Sequence, residues 1–295
     1  MKTIIKSLLI LFTIIISVNL YAQESKRTEA IRLTNSLTEI VFKESEYVSS
    51  VLVSTGKDGV LMIDNGSKES YKDLTESIKL LSDKSIKYII LTHWHFDHTN
   101  GDSINAKDVS MISHSFTRKL LSTDQTLMGM LIKANSYEAL PQISTDSKIE
   151  MFFNNDTIEI IPLTGGHTGG DLIVYFKNAK VLHIGDLVFS DMFPFYDTDH
   201  GGNVFKAIEN IQKIIEIMPA DIRIIPSHGR EYNITDLKDY KKMLVETSNL
   251  VKKEMEKGKS LEILKKENVL KNYSQWAKGF SCEDWIEFVF KSCNK

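Results

Sequence analysis

Residues 86–98 read IKYIILTHWHFDH. Ile86 to Leu91 is apolar except for Lys87 and rich in isoleucine, the pattern of a largely buried strand. That strand runs straight into Thr92 and then His93, His95, Asp97 and His98. Three imidazoles and a carboxylate within six residues are first-choice donors for a borderline divalent metal such as zinc. On a tight loop His93 and His95 point the same way and can reach one ion. Asp97 and His98 then turn towards a second position.

The flanking sequence alternates strand-like and helix-like patterns. Tyr47 to Val53 and Gly59 to Ile63 read as β-rich runs joined by the turn signal Gly56-Lys57-Asp58-Gly59. Tyr71, Leu74, Ile78 and Leu81 fall at helical spacing. Further strands are expected at Val109–Ile112, Thr157–Ile161, Leu172–Phe176, Val181–Ile184 and Ile222–Ile225, with a helix from Ser115. Val204, Ile208, Ile211, Ile215 and Met218 mark an amphipathic helix stopped by Pro219. Leu237, Tyr240, Leu244, Val251 and Met255 mark a longer one ended by Gly258, and the polar remainder to Lys295 reads as helical. The fold class is therefore α/β, with a layered core. Leu121 to Asn155 is the least regular stretch: an apolar lid, or a surface connection with some buried anchors.

Three more candidate ligands follow strands. His167 lies in Thr164-Gly165-Gly166-His167-Thr168-Gly169-Gly170-Asp171, where flanking glycines allow sharp turns and close backbone approach. Asp186 ends His183-Ile184-Gly185-Asp186, and His228 ends Pro226-Ser227-His228-Gly229. Loops at the carboxyl ends of strands are where open α/β sheets place their sites. Thr168 and Asp171 are candidates to hydrogen-bond the histidine ligands from behind.

The ordered set His93-x-His95-x-Asp97-His98, His167, Asp186, His228 resembles the metallo-β-lactamase superfamily of metal-dependent hydrolases. The resemblance spans about Val48 to Tyr232. It implies a four-layer αββα sandwich with the metals in a cleft at one edge of two sheets. By position, His93, His95 and His167 would bind one metal and Asp97, His98 and His228 a second, with Asp186 bridging. The implied cofactors are two zinc ions, with iron or manganese as alternatives. Two dications would lower the pKa of a shared water towards neutrality, giving a hydroxide that attacks a carbonyl. Asp97 would take up and pass on its proton. Within the superfamily, the β-lactamases tend to carry Cys or a non-ligating residue at the Asp186 position. Glyoxalase II-like and lactonase-like members carry the bridging Asp.

Composition narrows the class further. The chain has 295 residues, 42% hydrophobic and 25% charged, with 36 Lys+Arg against 39 Asp+Glu. Such a chain is neither disordered nor multi-spanning. With no basic excess, nucleic acid is an unsuitable partner; the expected partner is a small-molecule substrate. Lys2, Lys6 and the apolar run Leu8–Val18 form an export signal with cleavage near Ala22, placing the product in the periplasm or outside the cell. After cleavage no stable membrane insertion is expected. The expected organisation is a signal peptide over 1–22, an αββα domain over 23–232, and a helical extension over 233–295 packed on the core. If Cys282 and Cys293 share one helix, a rise of 1.5 Å per residue separates them by about 16 Å, too far for a disulfide.

The expected activity is an exported binuclear-zinc hydrolase of a small ester, lactone, thioester or amide. A periplasmic β-lactamase and a metal-binding module without turnover are the alternatives. Export favours the lactamase, and Asp186 weighs against it. Tyr196, Phe193 and Trp94 are the candidates to line the substrate pocket, with ordinary packing as the competing role. His114, His183 and His200 are read as structural.

Overall fold

The structure, a computed structural model, describes residues 28–44, 47–100 and 109–295. The expected signal peptide lies outside these residues. Its first sheet contains β1 (Thr28–Arg32), β2 (Leu37–Glu44), β3 (Tyr47–Gly56), β4 (Gly59–Ile63), β5 (Ile86–Ile90) and β6 (Ser110–Ser113). A separate hairpin of β7 (Gln125–Leu127) and β8 (Met130–Ile132) follows, and β9 (Ile143–Ser144) returns to the first sheet. The second sheet runs in order from β10 (Ile149–Phe153) through β11 (Asp156–Pro162), β12 (Leu172–Phe176) and β13 (Val181–Phe189) to β14 (Arg223–His228). Pairing is antiparallel from β1 to β4 and from β10 to β13. It turns parallel from β4 through β5 and β6 to β9, and again between β13 and β14.

The period-2 alternation of side chains explains the layering. Along β4, Val60 and Met62 face one apolar cluster while Leu61 and Ile63 face another. Along β14, Ile224 and Ile225 divide in the same way. The shared inner cluster packs Leu52, Leu61, Ile63 and Ile90 of the first sheet against Ile158, Val174, Phe176 and Ile225 of the second. Helix α1 (Tyr71–Leu81), through Leu74 and Ile78, covers the outer face of the first sheet. Both faces of these strands are thus buried, which is why they read as near-continuous apolar runs.

The helical turn α2 (Phe96–Thr99) and helix α3 (Ser115–Leu121) follow β5 and β6. The second sheet is covered by α4 (Val204–Ile217), α5 (Ile234–Glu256) and α7 (Cys282–Cys293), with α6 (Leu261–Glu267) between the last two. The fold is the expected four-layer αββα sandwich ending in helices. One apolar cluster joins Ile211 of α4, Leu244 of α5 and Trp285 of α7 to Leu182 and Ile184, so packing runs across residue 232 without a break. Trp285 also donates its indole N–H to Thr247 Oγ1 at 2.8 Å. Cys282 and Cys293 open and close α7 and are both free. No helix among the described residues is long and apolar enough to cross a membrane.

Candidate metal centre

Parallel strands deliver the site. β4 ends at Asp64, β5 ends at the Thr92–His98 loop, and β14 ends at His228. The register of β13 on β14 shifts on both sides of Gly185, whose φ is +58°. A β-bulge bends a strand and re-aims its side chains, and Asp186 is the residue that this one presents. A side chain at 185 would be strained in the left-handed region and would meet Thr92 Cβ at 3.1 Å.

His93 Nε2 and His167 Nε2 each lie 3.0 Å from His95 Nδ1. Asp186 Oδ2 lies 3.8 Å from His93 Nε2 and 3.6 Å from His167 Nε2. Beyond Asp186, His98 Nε2 is 3.4 Å from both Asp97 Oδ2 and Asp186 Oδ1. His228 Nε2 is 3.4 Å from Asp97 Oδ2 and 3.1 Å from Asp186 Oδ2. The seven residues therefore form two donor groups, His93/His95/His167/Asp186 and Asp97/His98/His228, with Asp186 facing both.

The opposite edge of each imidazole fixes its tautomer. His167 Nδ1 donates to Phe195 O at 2.8 Å, and His228 Nδ1 donates to Val48 O at 2.9 Å. His95 uses the other nitrogen, with Nε2 3.1 Å from Asp197 Oδ2. Thr92 Oγ1 donates to Asp64 Oδ2 at 2.8 Å, so at 3.0 Å it accepts from His93 Nδ1. Asp64 Oδ2 also accepts from His98 Nδ1 at 2.8 Å. In the neutral form of each ring, the nitrogen turned towards the cluster carries the lone pair that a metal would take.

Two dications fit this arrangement on the structure's own terms. Donors about 2.0–2.1 Å from a tetrahedral zinc stand about 3.3 Å from one another, and the separations above bracket that spacing. His98 Nε2 and Asp186 Oδ1 are fully buried without a hydrogen-bond partner, an arrangement that costs free energy unless something binds there. Burial would raise the Asp186 and Asp97 carboxyls, yet the adjacent His98 and His228 bring both well below the usual carboxylate range. Conversely, burial pulls His228 down, but Asp186 and Asp97 lift it to about 9. Burial, reinforced by the neighbouring histidines, pushes His93 well below its ordinary value and His167 to about 3. The carboxylates thus call for positive charge between them, whether an imidazolium or a cation supplies it.

Other residues take supporting places. Asp171 accepts from the backbone N–H of His167 and from Thr168, so it holds the loop rather than the imidazole. Asp64 and Asp197 are the anchoring carboxylates that motif reading did not single out. Gly202 belongs to the same scaffold: a Cβ there would sit 2.4 Å from His167 O and 2.8 Å from Asp197 O. His200 Nδ1 reaches both carboxylate oxygens of Asp197, at 2.9 and 2.8 Å, His114 caps α3 by accepting from Phe116 N, and His183 is buried in β13.

A cavity of about 370 Å³ opens above His95, Asp97 and Asp186. Trp94, Phe193 and Tyr196 do not line it. All three are fully buried: Trp94 packs edge-on against His95 and His200, Phe193 stacks on Trp285 at 5.5 Å, and Tyr196 meets the same indole. Tyr196 borders only the adjoining cavity. In place of these three, Phe195, Phe280 and the hairpin residues Leu127 and Met128 line the cavity, so the irregular stretch 121–155 contributes to its wall.

Residues 45–102 match the family model of the metallo-beta-lactamase superfamily. A probable metallo-hydrolase of Methanocaldococcus jannaschii is 27% identical over 188 residues, 62% of this chain and 88% of that protein. A solved metallo-beta-lactamase from Pontibacter korlensis superposes with a TM-score of 0.63 at 21% identity, covering 74% of this chain and 98% of that one. A double mutant of the sec-alkyl sulfatase PisA1 gives 0.70 at 15% identity, over 90% and 50% of the two chains. At such identities the solved structures speak to the fold, while the family match covers the strands and loop that carry His93, His95, Asp97 and His98. Fold, candidate ligand cluster and the match over residues 45–102 together support the metallo-β-lactamase superfamily as the family this chain resembles.

Proposed function

We propose that this chain is an exported hydrolase that holds two divalent metal ions, zinc in the first instance, and cleaves the carbonyl of a small ester, lactone, thioester or amide. The observation that carries the reading is the pair of donor groups joined by Asp186 at the floor of one cavity. Two dications there would lower the pKa of a water towards neutrality and polarise a carbonyl oxygen. Asp186 at the bridging place supports a thioesterase-like or lactonase-like ligand set.

The chain's own side chains do the rest. Both ligand-set carboxylates line the cavity, and Asp97, its side chain 15% exposed, is the more accessible, Asp186 being 3% exposed. Its place suits it to accept a proton from the attacking group and return it to the leaving group. Phe189, stacked on His228 at 4.8 Å, and Phe195, 5.6 Å from His95, exclude water from the ligand shell. No side-chain nucleophile is required.

Export rests on Lys2, Lys6 and the Leu8–Val18 run. Sequencing the mature N-terminus tests it, with Gln23 as the expected first residue. The activity is tested by metal analysis together with a panel of chromogenic ester, lactone, thioester and cephalosporin substrates. The expected result is two metals per chain and turnover of a non-β-lactam substrate that disappears in His167→Ala. Cephalosporin turnover lost in the same variant would favour a periplasmic β-lactamase. Two bound metals with no turnover would leave a metal-binding module.

A further inference from the structure

The cavity over the metal centre is chemically lopsided. Phe96, Phe189, Phe195 and Phe280, with Leu127 and Met128 from the hairpin, form an apolar wall. Outside the ligand set, its polar lining is Ser49, Ser67 and Glu69, and none of the described lining residues is Lys or Arg. The wall is also rigid. Phe280 stacks on Phe195 at 5.5 Å, and Phe288 of α7 braces both from 5.9 and 5.4 Å. Rings already held in place lose little entropy when an apolar group packs on them. Met128, at the hairpin tip, is 63% exposed and offers a polarisable thioether on the open side.

With the metal ions committed to the reacting carbonyl, a carboxylate farther along the substrate's acyl portion would give up water, meet Glu69, and find no Lys or Arg among the described lining residues to pair with. Burial of an unpaired charge is costly. An uncharged ring or chain gains contact with the wall and loses nothing.

Building on the hydrolase reading above, we infer that the site selects substrates whose acyl portion is uncharged and apolar, with Phe280 and Met128 supplying attraction and Glu69 excluding anions. This selection disfavours substrates that carry a carboxylate on the acyl portion.

Three methyl thioesters with one small leaving group test it: those of 4-phenylbutanoic, acetic and glutaric acid, followed by thiol release from the metal-loaded protein. The phenylbutanoyl thioester is expected to exceed the acetyl one in kcat/KM by about tenfold or more, and the glutaryl one to fall below it. Phe280→Leu and Met128→Ser should each shrink the phenylbutanoyl-to-acetyl ratio. Glu69→Lys should raise the glutaryl-to-acetyl ratio about tenfold. A flat series, a glutaryl preference in the wild type, or ratios unmoved by all three variants would overturn the inference. If no ester, lactone, thioester or amide is cleaved, the hydrolase reading fails, and dye binding still decides the selectivity. Neutral Nile red should fluoresce with the metal-loaded protein and lose binding in Phe280→Leu, whereas the anionic dye 8-anilinonaphthalene-1-sulfonate should bind only in Glu69→Lys. Equal binding of both dyes to the wild type would refute the inference.

Discussion

Replacing Asp64 by Asn tests whether one buried carboxylate sets the proton positions of two candidate ligands. Asp64 is fully buried and accepts three hydrogen bonds: Thr92 N–H to Oδ1 at 2.7 Å, and Thr92 Oγ1 and His98 Nδ1 to Oδ2, each at 2.8 Å. An amide has one oxygen, so it cannot serve both sides. With that oxygen at the Oδ2 place, its NH2 confronts the Thr92 N–H. With it at the Oδ1 place, the NH2 faces His98 Nδ1, which must then accept, and the His98 proton moves to Nε2. That is the nitrogen directed at Asp97 and Asp186. The first orientation leaves buried donors facing one another, at a cost of about 1–3 kcal/mol, and the second removes a ligand lone pair. Loss of such an anchoring partner lowers metal affinity about 10–100-fold. The check is urea unfolding of wild type and Asp64→Asn, paired with competition for metal against a chromophoric chelator. Unfolding free energies within 0.5 kcal/mol (roughly the scatter of a neutral surface substitution), together with unchanged affinities at both steps, would refute the reasoning.

Glu39, buried in β2, has its carboxyl raised to about 7, chiefly by burial and against a hydrogen bond with Ser50. A raised acid penalises the fold only where the unfolded chain is ionised and the native one resists. The penalty is therefore absent below about pH 4.5 and complete above 7. Glu39→Gln should gain about 2–3 kcal/mol on wild type between pH 5 and pH 8 in urea unfolding; a difference that does not vary with pH would sink the idea. Gly202→Ala should cost about 1–3 kcal/mol and weaken metal binding, because the new methyl presses on the carbonyls of His167 and Asp197; melting and metal titration of one sample read both effects. Trp285→Ala should cost about 3–5 kcal/mol, whereas Trp285→Phe should cost only about 1 kcal/mol for the lost bond to Thr247. A small effect of both on thermal melting would mean that α7 is not integral to the core.

The two kinds of information in this chain sit at different sequence distances. His93, His95, Asp97 and His98 are legible because metal binding needs scarce donor types, and a single loop after one strand supplies four of them. β4, β5 and β14 are legible because burial on both faces removes polar residues from them. β1 carries no such mark: its residues are exposed or half-buried at a sheet edge, and β2 places Thr38, Glu39 and Lys43 among its apolar residues. Asp64 and Asp197 escape notice for a different reason. Each is an ordinary carboxylate locally, and its role arises only when the fold brings it to a histidine 34 or 102 positions away. The segment Asp191-Met192-Phe193-Pro194-Phe195-Tyr196-Asp197 makes the limit concrete. It has neither helical nor strand periodicity, so nothing local tells which ring turns inward. Phe193 and Tyr196 go under Trp285, and Phe195 goes to the cavity, because Phe280 and Trp285 arrive from the chain's far end to meet them. The helices after residue 232 thereby decide which aromatic of that segment can touch a substrate. Local sequence locates the chemistry, while contacts about 85–90 residues apart shape what the chemistry acts on.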